Sequence, residues 1–246
     1  MSRRRLLFTA GSGVLGVTLL NTVTGCSTSS NEPGGSSATT TRTPDGAGAV
    51  PADWRRVDLS FVSAYLLIRG SEVAVVDVGT GGSADSIAAA LKAAGSGWNA
   101  VRHVILTHLH DDHVGGLAEV APQVNATIHA GEADVSGITS AKPVQALKDG
   151  DEIFGLRIIG TPGHTAGHVS VFDPSTGVLV AGDALRTADG LTGSDPRYTA
   201  DETQAAASVR KLADLDVRTV LPGHGDPLTT GAAEALRKLA ASLGAN

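Results

Sequence analysis

The chain has 246 residues, a formal net charge of −6, and 41% hydrophobic but only 3% aromatic residues. That length suits one substantial domain and is too short for two large ones once a front segment is set aside. No basic run follows Cys26 and few aromatics are available for base stacking, so nucleic acid is a poor partner; Cys26, the only cysteine, excludes an intrachain disulfide.

The front of the chain reads as a targeting segment over residues 1–25. Arg3, Arg4 and Arg5 form a charged head, Leu6 to Val23 is apolar or small, and Val23-Thr24-Gly25-Cys26 has the form of a lipoprotein cleavage box. Cys26 is then the first mature residue and carries the lipid. Ser2-Arg3-Arg4-Arg5-Leu6-Leu7 also resembles a twin-arginine export signal, which implies that the protein crosses the membrane folded. Removing 25 residues takes away three arginines and no acid, which moves the formal charge from −6 to −9. Residues 26–51 are Ser, Thr, Gly and Pro with almost no bulky apolar residues, so they form a flexible tether. The expectation is an exported protein, lipid-anchored at the outer face of a bacterial cell membrane through Cys26, with a catalytic domain over 52–246. No later segment is apolar for long enough to span a bilayer.

In the domain, Phe61 to Ile68 and Glu72 to Val78 are predicted strands meeting at Arg69-Gly70-Ser71. A helix follows over Ala84 to Ala94, with Ser83 as N-cap, Ile87 and Leu91 on one face and Gly95 as the stop. Val101 to Leu106 reads as a buried strand, Gly116 to Val120 as a short helix and Ala126 to His129 as a strand. The second half repeats this grammar with strands over Glu152 to Ile159, Val169 to Phe172 and Val178 to Val180, the last two joined by a turn at Asp173 to Gly177. Helices over Asp201 to Asp214, boxed by Thr199 and Glu202, and over Thr230 to Leu243 flank a strand at Thr219 to Leu221. Strands in clusters with helices outside suggest two packed sheets covered on both faces, an α+β arrangement.

The chemistry concentrates after the strand Val101 to Leu106. His108-Leu109-His110-Asp111-Asp112-His113 puts three imidazoles and two carboxylates in six positions at the end of a buried strand. Desolvating them would be costly unless a cation neutralised and organised them, so the stretch reads as a metal site. Asp112 and His113 are adjacent and point apart in a strand or helix, so an irregular turn is expected there. Three further polar residues follow strands and sit beside glycine: His164 in Thr161-Pro162-Gly163-His164-Thr165, Asp183 in Ala181-Gly182-Asp183, and His224 in Pro222-Gly223-His224-Gly225. Glycine there permits sharp turns and close approach of backbone segments.

The ordered set HLHDDH, TPGHT, AGD and PGHG resembles the metallo-β-lactamase superfamily of metallo-hydrolases, over about residues 52 to 246. The resemblance implies a four-layer αββα sandwich. It also implies that His108, His110 and His164 hold one metal, that Asp112, His113 and His224 hold a second, and that Asp183 bridges them. Imidazole and carboxylate ligands suit zinc first, and also iron and manganese. Paired cations roughly 3.5 to 4 Å apart would share a hydroxide as nucleophile, so hydrolysis is the expected reaction, with Asp112 as the candidate catalytic residue as well as a ligand. Asp77 is a candidate hydrogen-bond partner or turn cap, His168 a candidate lining residue, and His103 and His129 read as structural histidines.

The substrate is expected to be a small molecule carrying an ester, thioester, lactone or related bond. The loop Arg186 to Ala200, with Arg186, Arg197 and Tyr198, is the expected border of the cleft. The chain looks like small members related to glyoxalase II and lactonases but lacks the C-terminal helical region that holds glutathione in full-length glyoxalase II. An aspartate at 183 leans away from true β-lactamases. A mononuclear-iron persulfide dioxygenase, a β-lactamase and a non-catalytic metal-binding surface lipoprotein are the competing expectations.

Overall fold

The computed structural model describes residues 49–244. The export signal, the lipidation site at Cys26 and all but the end of the tether lie outside them. Six strands form the first sheet, in spatial order: β1 (Trp54–Leu59), β2 (Val62–Arg69), β3 (Glu72–Val76), β4 (Val101–Leu106), β5 (Thr127–Gly131) and β6 (Val144–Leu147). The first three are antiparallel, and β3 to β6 run parallel. The crossover from β3 to β4 carries helix α1 (Ala84–Ala93), and that from β4 to β5 carries the one-turn helices α2 (Asp111–Val114) and α3 (Leu117–Val120).

The second sheet is built from β7 (Glu152–Ile153), β8 (Leu156–Gly160), β9 (Val169–Asp173), β10 (Val178–Gly182) and β13 (Thr219–Pro222), in the spatial order β13-β10-β9-β8-β7. A small hairpin, β11 (Leu185–Arg186) with β12 (Thr192–Gly193), follows β10. Helices α4 (Glu202–Ala213) and α5 (Ala232–Ser242) complete the second half.

The side-chain period of two sorts each strand between two layers. On β2 and β3, Leu66, Val73 and Val75 pack with Ile87 and Leu91 of α1 and Leu117 of α3. Their neighbours Tyr65, Leu67, Ala74 and Val76 turn the other way and meet Ile158, Val171 and Val180 of the second sheet. On the far side of that sheet, Phe172, Leu179 and Val220 pack with Val209 and Leu212 of α4 and Leu236 of α5. The result is helix, sheet, sheet, helix, the αββα sandwich expected. No described helix is long and apolar enough to cross a membrane.

Several boundaries differ from the sequence reading. The run Glu152 to Ile159 is not one strand: Phe154 and Gly155 both have positive φ, 55° and 71°, and fold it into a hairpin. Strands β1 and β6 are additions to the expected set, because their burial patterns mix exposed and buried positions without clean alternation. Ser83 sits at the start of α1 but makes no side-chain cap hydrogen bond. Helix α4 is capped by Asp201, which accepts from the Gln204 amide at 2.9 Å, and not by Thr199, whose hydroxyl donates to the Asp195 carbonyl.

Strands β3, β4, β8, β10 and β13 point their C-terminal ends to one edge, where the two sheets are stitched together. Val169 N–H donates to Thr107 O at 2.8 Å, Ser63 N–H to Gly223 O at 2.9 Å, and the Tyr65 hydroxyl to Pro222 O at 2.7 Å. Every candidate ligand leaves a strand at this edge.

Candidate metal centre

All seven side chains singled out in the sequence converge at that edge. Three groups have potential ligand atoms within 4.8 Å of one another: His108, His110 and His164; Asp112, His113 and His224; and His108, His113 and Asp183. Asp183 stands between the first two. Its Oδ2 is 3.5 Å from His164 Nε2 and 3.2 Å from His224 Nε2, and its Oδ1 is 3.2 Å from His113 Nε2.

Asp112 and His113 do not need the irregular turn expected of them. They sit on α2, a single helical turn, and still come within 3.8 Å, Asp112 Oδ2 to His113 Nε2. Neighbours on a helix diverge by about 100°, but their side chains reach round a helix this short, and the His224 ring arriving from β13 closes the group.

The outer nitrogen of each key ring is committed, and this sets the tautomer. His224 Nδ1 lies 2.7 Å from the Phe61 carbonyl, which can only accept, so Nδ1 carries the proton and Nε2 faces inward. His113 Nδ1 donates to Asp77 Oδ2 at 2.8 Å. The Thr107 hydroxyl donates to the same Asp77 oxygen at 2.8 Å, leaving its lone pair for His108 Nδ1 at 3.1 Å. His164 Nδ1 meets the Ser194 hydroxyl at 2.8 Å. In each case Nε2 is the nitrogen left to face the centre, the outer-partner arrangement typical of metal-bound histidine, and on His113 and His224 a cation would have to displace the Nε2 proton. His110 turns Nδ1 inward, 2.9 Å from His164 Nε2.

The donor set fits divalent cations on a direct observation. His108 Nε2, His113 Nε2 and Asp183 Oδ1 are buried and have no hydrogen-bond partner in the structure. Orphaned buried polar atoms are rare because each costs about 1 to 3 kcal/mol. His113 Nε2 and Asp183 Oδ1 lie 3.2 Å apart without hydrogen-bond geometry between them.

Electrostatics divides the cluster. Burial, with the neighbouring His113 and His168, pushes His108 well below the ordinary histidine value, and burial brings His164 down to about 4. Both are neutral imidazoles, the form a cation would require. Burial alone would also depress His113, but the Asp77 and Asp183 carboxylates raise it well above the ordinary value. Hydrogen bonding to Asp112 and Asp183 lifts His224 to about 10. Burial opposes ionisation of Asp183, yet His113 and His224 hold its carboxyl far below the usual range. The second group therefore gathers positive charge around its carboxylates, which is the place a cation would take.

Asp77 is the hydrogen-bond partner proposed for it: besides His113 it accepts from Thr107 N–H at 2.7 Å, with φ of +61° re-aiming the backbone at the end of β3. His168 is fully buried beside His164 and accepts from the Asp183 N–H through Nε2 at 3.0 Å. Its Nδ1 then donates to Thr161 Oγ1 at 2.8 Å, Thr161 contacts Ser170 Oγ at 3.0 Å, and Ser170 donates to Ala181 O at 3.0 Å. That circuit pins both sides of Gly182, so His168 positions Asp183. His103 and His129 pair with each other at 3.3 Å, in none of the metal-binding groups. Tyr198, Arg186 and Arg197 line the cavity over the cluster, together with Phe61.

One residue escaped the sequence reading. Asp134 is 1% exposed and joins the two loops that carry the first group. Its Oδ2 accepts from Leu109 N–H at 3.1 Å and from the Thr165 hydroxyl at 2.6 Å, and its Oδ1 from Gly167 N–H at 2.7 Å. A buried acid in Gly131-Glu132-Ala133-Asp134 carries no local signal. Gly223 is a second determinant: a Cβ there would stand 2.3 Å from Asp183 Oδ1 and 2.7 Å from His113 Cε1.

Residues 57–224 match the family model of the metallo-β-lactamase superfamily. The chain is 32% identical over 196 residues to the protein YobT of Bacillus subtilis, a match covering 67% of this chain and 83% of YobT. It is 33% identical over 166 residues to a hydroxyacylglutathione hydrolase of Acidiphilium cryptum, covering 65% of this chain and 63% of that enzyme, just under two thirds of its length. Among solved structures, a metallo-β-lactamase family protein from Thermus thermophilus superimposes with a TM-score of 0.61 at 25% identity, over 78% of this chain and 80% of the other.

Proposed function

The chain belongs to the metallo-β-lactamase superfamily, and from that premise we propose that it is a binuclear metal-dependent hydrolase acting on an ester, thioester, lactone or related bond of a small molecule. The observation that carries this reading is the convergence of seven donor side chains, with buried inward atoms on His108, His113 and Asp183 that lack hydrogen-bond partners of their own. His108, His110 and His164 would hold one cation, Asp112, His113 and His224 another, and Asp183 would touch both. Divalent ions, zinc being the best match to this donor set, supply Lewis acidity and lower the pKa of water toward about 7.

The chain's own residues do the rest. Asp183, held by His168, keeps its carboxylate between the two groups and offsets positive charge. Asp112 is the half-buried acid of the cavity wall, where its carboxylate could accept a hydrogen bond from a water and orient that water for attack. Phe61 and Tyr198 wall the cavity and offer apolar surface to a substrate.

A panel of thioesters, lactones, phosphodiesters and β-lactams offered to the metal-loaded domain tests the reading. Turnover of one bond class with two metal ions per chain supports it, whereas one iron per chain with oxygen consumption on a persulfide would replace it with oxidation. Asp112→Ala and His113→Ala should each lose the second metal and most of the activity, and a fully active one-metal variant contradicts the assignment.

The proposal extends to location: export, lipidation at Cys26 and anchoring at the outer face of the cell membrane, with residues 26–51 as tether. Cys26→Ser should release the protein from the membrane fraction, and Arg3→Lys with Arg4→Lys should block export. Normal surface delivery of that double variant would remove the twin-arginine route.

A further inference from the structure

Phe61 and Tyr198 are 61% and 63% exposed, the two most exposed large hydrophobic side chains among the described residues, and both wall one cavity of about 560 Å³ over the metal centre. Scattered exposed aromatics mean little, but two on the rim of one cavity mark an apolar contact waiting for a ligand. The backbone under each ring is anchored. Phe61 lies parallel to the His224 imidazole, 9° between planes, and its carbonyl accepts from that ring. Tyr198 closes a turn whose N–H donates to Asp195 O, and the Arg197 guanidinium lies 5.4 Å from its ring centre.

The same wall carries charge. Arg186 Nη1 and Arg197 Nη2 are each 2.8 Å from Asp195 Oδ2. One carboxylate shared by two guanidiniums draws both to the same wall and leaves one positive charge unbalanced. The remaining acids of the cavity, Asp112 and Asp183, face His113, His164 and His224 and are absorbed by the metal centre. The lining thus has three parts: a reacting end, an aromatic pair and a cationic pair.

We infer that the cavity selects a small amphiphilic anion, with an apolar group between Phe61 and Tyr198 and a single carboxylate-like charge on Arg186 and Arg197. The inference leans on the hydrolase reading only for where the scissile bond would lie; the binding preference stands apart from turnover. Neutral substrates of the same shape leave the unbalanced positive charge of the guanidinium pair unmatched, and polymers exceed this volume.

Calorimetric titration of the metal-loaded protein with 4-phenylbutanesulfonate and with neutral 4-phenylbutanol tests this without any bond being cleaved. The sulfonate should bind about tenfold more tightly than the alcohol, the ratio of one charge-assisted contact. Arg197→Gln and Arg186→Gln should each remove most of that preference with metal content unchanged, and Arg197→Lys should restore much of it. Arg197 has a side chain 75% exposed, so its replacement leaves the fold intact even if the Arg186 variant does not. Tyr198→Ala should weaken both probes alike, by about fivefold. Equal binding of the two probes by the parent, or an unchanged preference in Arg197→Gln, overturns the charged half; unchanged binding of both probes by Tyr198→Ala overturns the apolar half. A positive substrate panel with a failed titration rejects this inference alone, and the reverse outcome rejects hydrolysis alone.

Discussion

The two halves of the metal centre meet at Asp183 but are held in opposite ways. The first group, His108, His110 and His164, is three imidazoles from two distant loops, two of them held neutral by burial, and the loops are tied together from behind by Asp134. The second, Asp112, His113 and His224, mixes acid with imidazole, and its rings are fixed individually, His113 by Asp77 and His224 by the Phe61 carbonyl. Ring orientation matters to both groups, since Thr107 and Ser194 also hold His108 and His164, but only the first depends on Asp134 for the spacing of its loops, so remote substitutions should separate them.

The largest effect should come where the two halves share space. Gly223→Ala would drive a methyl between Asp183 and His113, and we expect turnover to fall by at least about 100-fold, as for ångström-scale misplacement of reacting groups. Metal analysis should find both ions depleted; two tightly held ions in this variant would mean that the backbone gives way more easily than its neighbours suggest.

Asp77→Asn sharpens the contrast on the second side. It replaces the carboxylate that accepts directly from His113 Nδ1 and, through Thr107, backs His108, so the second ion should bind about 10- to 100-fold more weakly and the first should weaken by less. Competition with a chelator, followed ion by ion, reads this out. Asp134→Asn should do the converse. Its amide would turn an N–H toward donors on Leu109, Thr165 or Gly167, which should cost about 2 kcal/mol in unfolding free energy and weaken the first ion about tenfold. Equal weakening of both ions in either variant would erase the distinction between the groups.

The smallest effect lies outside the centre and serves as its control. Burial, then the adjacent His103, brings His129 down to about 4, against 6.5 for the ordinary side chain. Between those values the unfolded chain takes up a proton that the folded chain refuses. His129 therefore adds stability above pH 6.5 that is lost as pH falls toward 4. With its partial solvent contact discounted, His129→Leu should lose about 1 kcal/mol less than the parent between pH 7 and pH 5 in urea unfolding. An identical loss in both proteins would remove His129 as a source of acid sensitivity.

The centre is more legible in the sequence than its supports. Ligands must be polar and must leave strand ends where glycine permits close approach, so HLHDDH, His164, Asp183 and His224 stand out against apolar strands. Asp134 gives no such sign, because two of its three partners are backbone N–H groups, on residues 25 and 33 positions away, which no residue type encodes. The fold shows the same split. Strand β4 has the bounds expected of it because its last three residues, Val104, Ile105 and Leu106, form a continuous buried β-branched and aliphatic run, whereas β6, with Gln145 and Ala146 exposed, resembles a loop. The hairpin of β7 and β8 is hidden because Phe154 adopts a positive φ that its side chain does not advertise.

Anomalous diffraction from crystals of the metal-loaded domain addresses the central claim most directly. The account expects two peaks per chain, one against His108, His110 and His164 and one against Asp112, His113 and His224, with the Asp183 carboxylate touching both. A single peak, or a second one away from Asp183, would contradict it.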